Sequence, residues 1–180
     1  MNVEATYQKI LSELEQGHRA LQRFNKEEIE ELERLLEENL PTGKELEKLL
    51  CLIEHAATPQ LSLEPILLKA LGQNLSPAQL VFTLNCARKH IIQARQTRGQ
   101  RLSFEFLEVL KKLLYSNSPE VVEWTLRSIE ECGSQGVYFL REFDKIKPPP
   151  WKWFNEHQRA VREIIALLER RWGNFEKPQS

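Results

Sequence analysis

"SPAQLVFTL" occupies Ser76–Leu84 and "SPEVVEWTL" occupies Ser118–Leu126, one framework written twice at a distance of 42 residues. Extending the comparison backwards aligns residues 67–84 with 109–126. Leu68, Lys69 and Leu71 then fall on Leu110, Lys111 and Leu113, and seven of the eighteen positions are identical. Phe82 opposite Trp124 keeps a large aromatic in place. In both copies a small hydroxyl residue precedes proline. Serine is a strong helix N-cap, and proline suits the first helical position, where a backbone N–H has no intrahelical partner anyway. The match therefore straddles the end of one helix, a turn and the start of the next, so the repeating element is a helix pair.

The rest of the chain reads as helix by the same logic. Apolar residues recur at steps of three and four through Val3, Tyr7, Ile10, Leu11 and Leu14, then His18, Leu21 and Phe24, which predicts a first helix reaching about residue 23. Asn25 with Glu28 three residues later predicts a capping box opening a second helix, which Pro41 ends. Thr42 with Glu45 predicts another box opening a third helix through Leu46, Leu49, Leu50 and Ile53. Further helices are expected over Ile66–Leu71, from Ser76 to near Gly99, from Ser103, from Ser118 to Gly133, over Val137–Phe143, and over about 154–172. The tail after Trp172 reads as frayed. The acids are 25 Glu and a single Asp144, which suits helix interiors, since Asp prefers caps and turns.

The expected organisation is a single all-α domain of 180 residues and eight or nine helices. Residues 1–41 form an acidic helical hairpin, 42–146 hold the helix pairs, 147–153 are a Pro/Trp crossover and 154–172 the last helix.

A helix pair cannot bury its apolar face alone, but stacked pairs can. A period of 42 lies in the range of HEAT and armadillo units. "SPEVVEWTLRSIEECG" resembles the second helix of a HEAT repeat, and the resemblance covers residues 60–145. It implies antiparallel helix pairs in a short right-handed superhelix (an α-α solenoid) and, with that, a non-catalytic scaffold with a concave binding surface.

Composition narrows the function. Apolar residues at 41% and charged residues at 28% argue against a disordered chain. No apolar run approaches the roughly 20 residues of a membrane span, and no signal peptide is read at the N-terminus, so a cytoplasmic protein with no membrane partner is expected. Cys51, Cys86 and Cys132 are too far apart for a zinc pair and read as buried thiols; His18, His55, His90 and His157 form no metal motif, with His18 expected on the first helical stripe. Gly43–Lys44 lacks the rest of a phosphate-binding loop. Glu130 and Glu131 read as a solvated face. No cofactor is expected.

Charge is uneven. Residues 1–64 carry seven Lys or Arg against fourteen acids, and residues 65–180 carry eighteen against twelve. Arg88, Lys89, Arg95, Arg98, Arg101, Lys111 and Lys112 concentrate positive charge on and after the fifth helix. Arg88 and Arg95 share a face at seven-residue spacing, and Arg127 aligns one turn before Arg88 under the 42-residue shift. The predicted binding surface comprises Arg88, Arg95, Arg98, Trp124, Arg127 and Trp151, the last from the extended "KPPPW" stretch. An acidic protein is the expected partner. Nucleic acid is the alternative: a base-processing helical repeat of the DNA-glycosylase kind would need a carboxylate near a basic cleft, and the sequence singles none out. The acidic first part could also dock on a second copy's basic part to give a homodimer.

Overall fold

A computed structural model of the chain describes residues 1–43, 45–149, 151 and 154–173. Lys44, Pro150, Trp153 and the tail at 174–180, all touched by the reading above, lie outside the described residues. Among the described residues the structure is helical without strands. A single parallel bridge joins Gln22 to Ala56. The chain forms two compact units, residues 1–99 and 100–180. The charge boundary at residue 64 falls inside the first. By unit, twelve Lys or Arg meet fourteen Glu in the first, and thirteen meet twelve acids in the second, so each unit is close to neutral.

The first unit contains α1 (Val3–Glu15), α2 (Lys26–Asn39), α3 (Leu46–Glu54), a 3-10 turn (Leu61–Leu63), α4 (Glu64–Leu71) and α5 (Pro77–Ala87); α5 runs through a π-helical segment (Arg88–Gln93) into α6 (Ala94–Thr97). Leu46 and the whole run Leu49–Ile53 are buried, so α3 is apolar on nearly every side. A helix of that kind belongs at the centre of its neighbours, and α3 packs against α1, α2 and α5, while α4 packs on α5.

Two expected boundaries differ here. The first helix stops at Glu15 rather than near residue 23. Gly17 takes φ +74°, its N–H bonds the Leu14 carbonyl at 2.9 Å, and the His18 N–H bonds the Glu13 carbonyl at 2.9 Å. That pair of bonds is a Schellman stop, and glycine adopts its left-handed step without steric cost. The apolar stripe continues in sequence past this point, but the chain does not wind: His18 is exposed, and Gln22 is drawn to α3 instead. The Thr42–Glu45 box is also absent. The Thr42 hydroxyl bonds the Asn39 carbonyl at the exit of α2, and Glu45, at φ 53°, caps α3 with no side-chain bond.

The second unit contains α7 (Phe104–Leu113), α8 (Pro119–Glu131), a 3-10 segment (Gly133–Phe139), α9 (Leu140–Ile146) and α10 (Glu156–Trp172). α8 packs against α10 and α7. The helix expected over Val137–Phe143 is displaced: the chain leaves α8 through Gly133 at φ +61° and enters α9 only at Leu140. Gly136 lies under the Trp172 indole so closely that a Cβ there would stand 2.1 Å from the ring. Gln135 clips the start of the unit by accepting from the Leu102 N–H at 2.8 Å and donating to the Leu102 carbonyl at 3.2 Å.

The repeated sequence produces repeated local structure. Ser76 caps α5 by accepting from the Gln79 N–H, and Ser118 caps α8 by accepting from the Val121 N–H. Thr83 and Thr125 are both buried, and each donates to the carbonyl four residues back at 2.7 Å. Leu84 and Leu126 follow, both buried. One copy of the helix pair, α4 with α5, belongs to the first unit. The other, α7 with α8, belongs to the second.

Candidate functional site

Three residues of the predicted six-residue face, Arg88, Arg95 and Arg98, lie in the first unit and take different roles. Arg95 is half-buried and holds the buried Glu64: its Nε and Nη2 reach the same carboxylate oxygen at 2.8 and 2.7 Å. The Glu64 charge also sits in the first turn of α4, where the helix dipole favours an anion. Arg88 is half-buried and donates to Asn85 one turn back at 3.4 Å. Arg98, just past α6, is exposed. The intervening π-helical winding, with its i→i+5 bonds, is wider than an α-turn, so a seven-residue spacing does not return Arg95 to the azimuth of Arg88.

The same rod turns another face inward. Cys86, Lys89 and His90 stand at i, i+3 and i+4 and reach the C-terminal end of α3. The Cys86 thiol donates to the Leu50 carbonyl at 3.4 Å, and Lys89 Nζ donates to the Glu54 carbonyl at 2.6 Å. His90 is fully buried. Its Nδ1 accepts from the Gln60 N–H at 2.9 Å, and its Nε2, 2.8 Å from the Ile53 carbonyl, donates to it. Those two roles require the neutral imidazole, and burial pushes the His90 pKa down to about 4. Two of the carbonyls at the end of α3, those of Ile53 and Glu54, thereby receive donors from a helix some 35 residues away. Sequence reading missed this. A basic residue in the last turn of α3 would have been the signal, and α3 has none.

In the second unit Arg127 holds the buried Glu123, with Nε and Nη2 at 3.0 and 2.6 Å from Oε1. Its guanidinium lies 5.5 Å from the centre of the half-buried Trp124 ring. His157 of α10 completes the group, its Nδ1 2.8 Å from Glu123 Oε2. Arg127 and Trp124 are thus side chains of one packed ionic cluster.

Of the predicted residues Arg98, Arg127 and Trp151 are exposed; the Trp151 indole is 75% exposed, and Phe154, three residues on, is 99% exposed. A cleft of about 360 Å³ opens in the same unit. Its walls include Tyr115, Pro119, Val122, Pro148, Pro149 and Val161. Tyr115 is fixed there because its hydroxyl donates to Glu142, a buried carboxylate that Lys111 and Lys145 also hold. Those bonds, the tyrosine first, hold the Glu142 carboxyl down to about 2. Phe104 is exposed as well and meets Tyr138 edge to face at 6.2 Å. The sequence marked Trp151 through its proline run. Phe154 carries the same signal three residues on.

The three thiols are buried. Burial pushes Cys51 up to about 11, Cys132 up to about 12 and Cys86 well above the ordinary thiol range, so all three are protonated at neutral pH. Glu130 is half-buried and pairs with Arg171 at 3.3 Å, so it is less solvated than expected. Among the described residues no group of three or more His, Cys, Asp or Glu side chains could hold a metal ion, and no helix is long and apolar enough to cross a membrane. Comparison with protein families, with curated proteins and with solved structures finds no match to this chain.

Proposed function

We propose that the protein is a non-catalytic interaction scaffold that docks a protein partner, and that its two Ser-Pro helix pairs are copies of one HEAT-like unit used in a short superhelix. The observation that carries the docking reading is the exposure of Trp151 and Phe154 in the unit that also holds the Tyr115–Pro149 cleft. Two large aromatics left in water, three residues apart in the chain, cost the monomer apolar hydration that is regained only when something covers them. Tryptophan in particular is enriched among the residues that dominate interface energies. Supporting the repeat is the matched capping and the matched back-bonding of Thr83 and Thr125.

A scaffold rather than an enzyme is supported by the state of the buried carboxylates. Glu64 and Glu123 are each bound by an arginine, and Glu142 by a tyrosine and two lysines. Held in this way they act as structural counter-charges, not as free bases. Quantitative affinity capture with the wild type, Trp151→Ala/Phe154→Ala and a surface control tests the reading. Partners should be retained by the wild type and the control and lost from the double variant. A capture profile identical for all three would refute it.

A further inference from the structure

Phe104, Glu108 and Lys111 stand at i, i+4 and i+7 on one face of α7, and Tyr115 follows one turn further, just past its end. Tyr138, Glu142 and Lys145 run beside them from the 3-10 segment into α9. The two rows are tied together by side chains. Phe104 meets the Tyr138 ring edge to face. The Tyr138 hydroxyl donates to Glu108, and Lys111 Nζ lies 5.5 Å from the centre of the Tyr138 ring. Lys111 also reaches the buried Glu142 at 3.4 Å, where the Tyr115 hydroxyl donates and Lys145 closes at 3.0 Å. Tyr138 meets the buried Phe139 as well, edge to face with ring centres 5.2 Å apart.

These contacts hold three aromatic rings in place without covering them. Phe104, Tyr115 and Tyr138 are 68, 51 and 40% exposed. Rings fixed before a partner arrives lose little further freedom on binding. The charges of the strip cancel, Glu108 and Glu142 against Lys111 and Lys145. A balanced strip offers no net field to an acidic or a basic partner and suits an uncharged one. Its hydrogen bonding is selective too. Glu142 already takes three donors, so an incoming N–H finds no acceptor there. Lys145 is exposed and keeps N–H groups for a carbonyl.

We infer that the strip along α7 and α9 is a docking surface for a proline-rich segment of a partner protein, bound in the extended left-handed helix that proline favours. Such a segment is uncharged. It brings apolar rings for the aromatic ones and carbonyls for the lysines, and it has no proline N–H to leave unpaired. The dimensions agree: eleven residues from Phe104 to Tyr115 span roughly 16 Å at the helical rise, the length of about five residues of polyproline. Nucleobases also stack on exposed rings, but a phosphate backbone needs an excess of cations that the strip lacks. The inference goes beyond the scaffold reading, since it rests on other residues and names a partner's chemistry.

The test is fluorescence anisotropy of fluorescein-labelled decaproline with the full chain, beside a labelled ten-residue Glu–Gly peptide and a labelled single-stranded oligonucleotide of ten nucleotides. Decaproline should bind the wild type below millimolar concentration. Its affinity should hold within a factor of two as salt rises from about 50 to about 500 mM, because no charges are neutralised on binding. Phe104→Ala should weaken binding at least fivefold with unchanged circular dichroism and melting. Phe104→Tyr, which keeps a ring, and the control Leu21→Ala in the first unit should stay within a factor of two. The proposal fails if decaproline does not bind the wild type, if Phe104→Ala binds it as well as the wild type does, or if Phe104→Tyr or Leu21→Ala loses it equally. It fails too if affinity falls steeply with salt, or if the acidic peptide or the oligonucleotide binds more tightly. Trp151 and Phe154 are unchanged in every variant, so such a failure leaves the scaffold reading standing, and a failed affinity capture leaves the strip standing.

Discussion

The Arg95 guanidinium and the Glu64 carboxylate are locked together by two contacts, of 2.8 and 2.7 Å, to a single oxygen. Glu64 is buried at the start of α4, and Arg95 stands in α6, so the pair ties the two ends of the α4–α6 stretch together. Removing the cation leaves a buried carboxylate short of its partner, which costs about 2–4 kcal/mol for a pair of this partial exposure. Arg98, exposed past the helix end, has no comparable anchor. Arg95→Ala is therefore expected to lower the urea midpoint clearly, while Arg98→Ala stays within about 0.5 kcal/mol of the wild type. Equal effects from the two would mean the ion pair is not structural.

His90 sets a pH dependence. Its folded pKa, about 4, lies below the ordinary histidine value of 6.5, so between those values the unfolded chain binds the proton more readily. Its contribution is fully present above pH 6.5 and is lost as pH falls from 6.5 through 4, by roughly 3 kcal/mol over the whole window. Urea unfolding at half-unit steps from pH 7 to 4 should show that fall, and His90→Gln should flatten it. A variant as steep as the wild type would assign the acid sensitivity to other groups.

Gly136 is required by contact rather than by conformation. A methyl group there would overlap the Trp172 ring, which is buried and closes α10 onto the 3-10 segment. Gly136→Ala should cost about 2–3 kcal/mol through overpacking, a drop of roughly 4–12 °C in Tm for a chain of this size. Combining it with Trp172→Leu should cost less than the sum of the single changes, a coupling read by a double-mutant cycle. Strict additivity would show that the contact does not govern stability.

Local capping was the most legible part of the fold. Asn25, Ser76, Ser103 and Ser118 all cap the helices expected of them, because an N-cap needs only the residue and its next turn. Thr42 did not cap the third helix because the chain takes a left-handed step at Glu45, φ 53°, and α3 starts only at Leu46. The first helix was overextended because a periodic stripe of apolar residues says nothing about winding once glycine offers a stop. The binding surface was less legible. Spacing placed Arg88 and Arg95 together only for uninterrupted α-helix, and the sequence holds no visible mark of the π-helical turn. Arg95 read as surface charge because the Glu64 that holds it lies in another helix. Arg127 is exposed as read, and its Glu123 partner, four residues back on the same helix, was open to the sequence but not drawn from it. Trp151 stood out through the three prolines ahead of it, but whether its indole packs or stays in water depends on the fold and could not be read from that run.

The claim on which the functional account rests is that Trp151 and Phe154 anchor a partner. Once a partner has been recovered by affinity capture, its Kd for the wild type and for Trp151→Ala/Phe154→Ala, each measured by isothermal titration alongside a melting curve, tests it directly. Two central aromatic anchors at about 2 kcal/mol each sum to about 4 kcal/mol, so the double variant should bind on the order of 1,000-fold more weakly with an unchanged Tm. Affinities equal within error, with both proteins folded, would contradict the account.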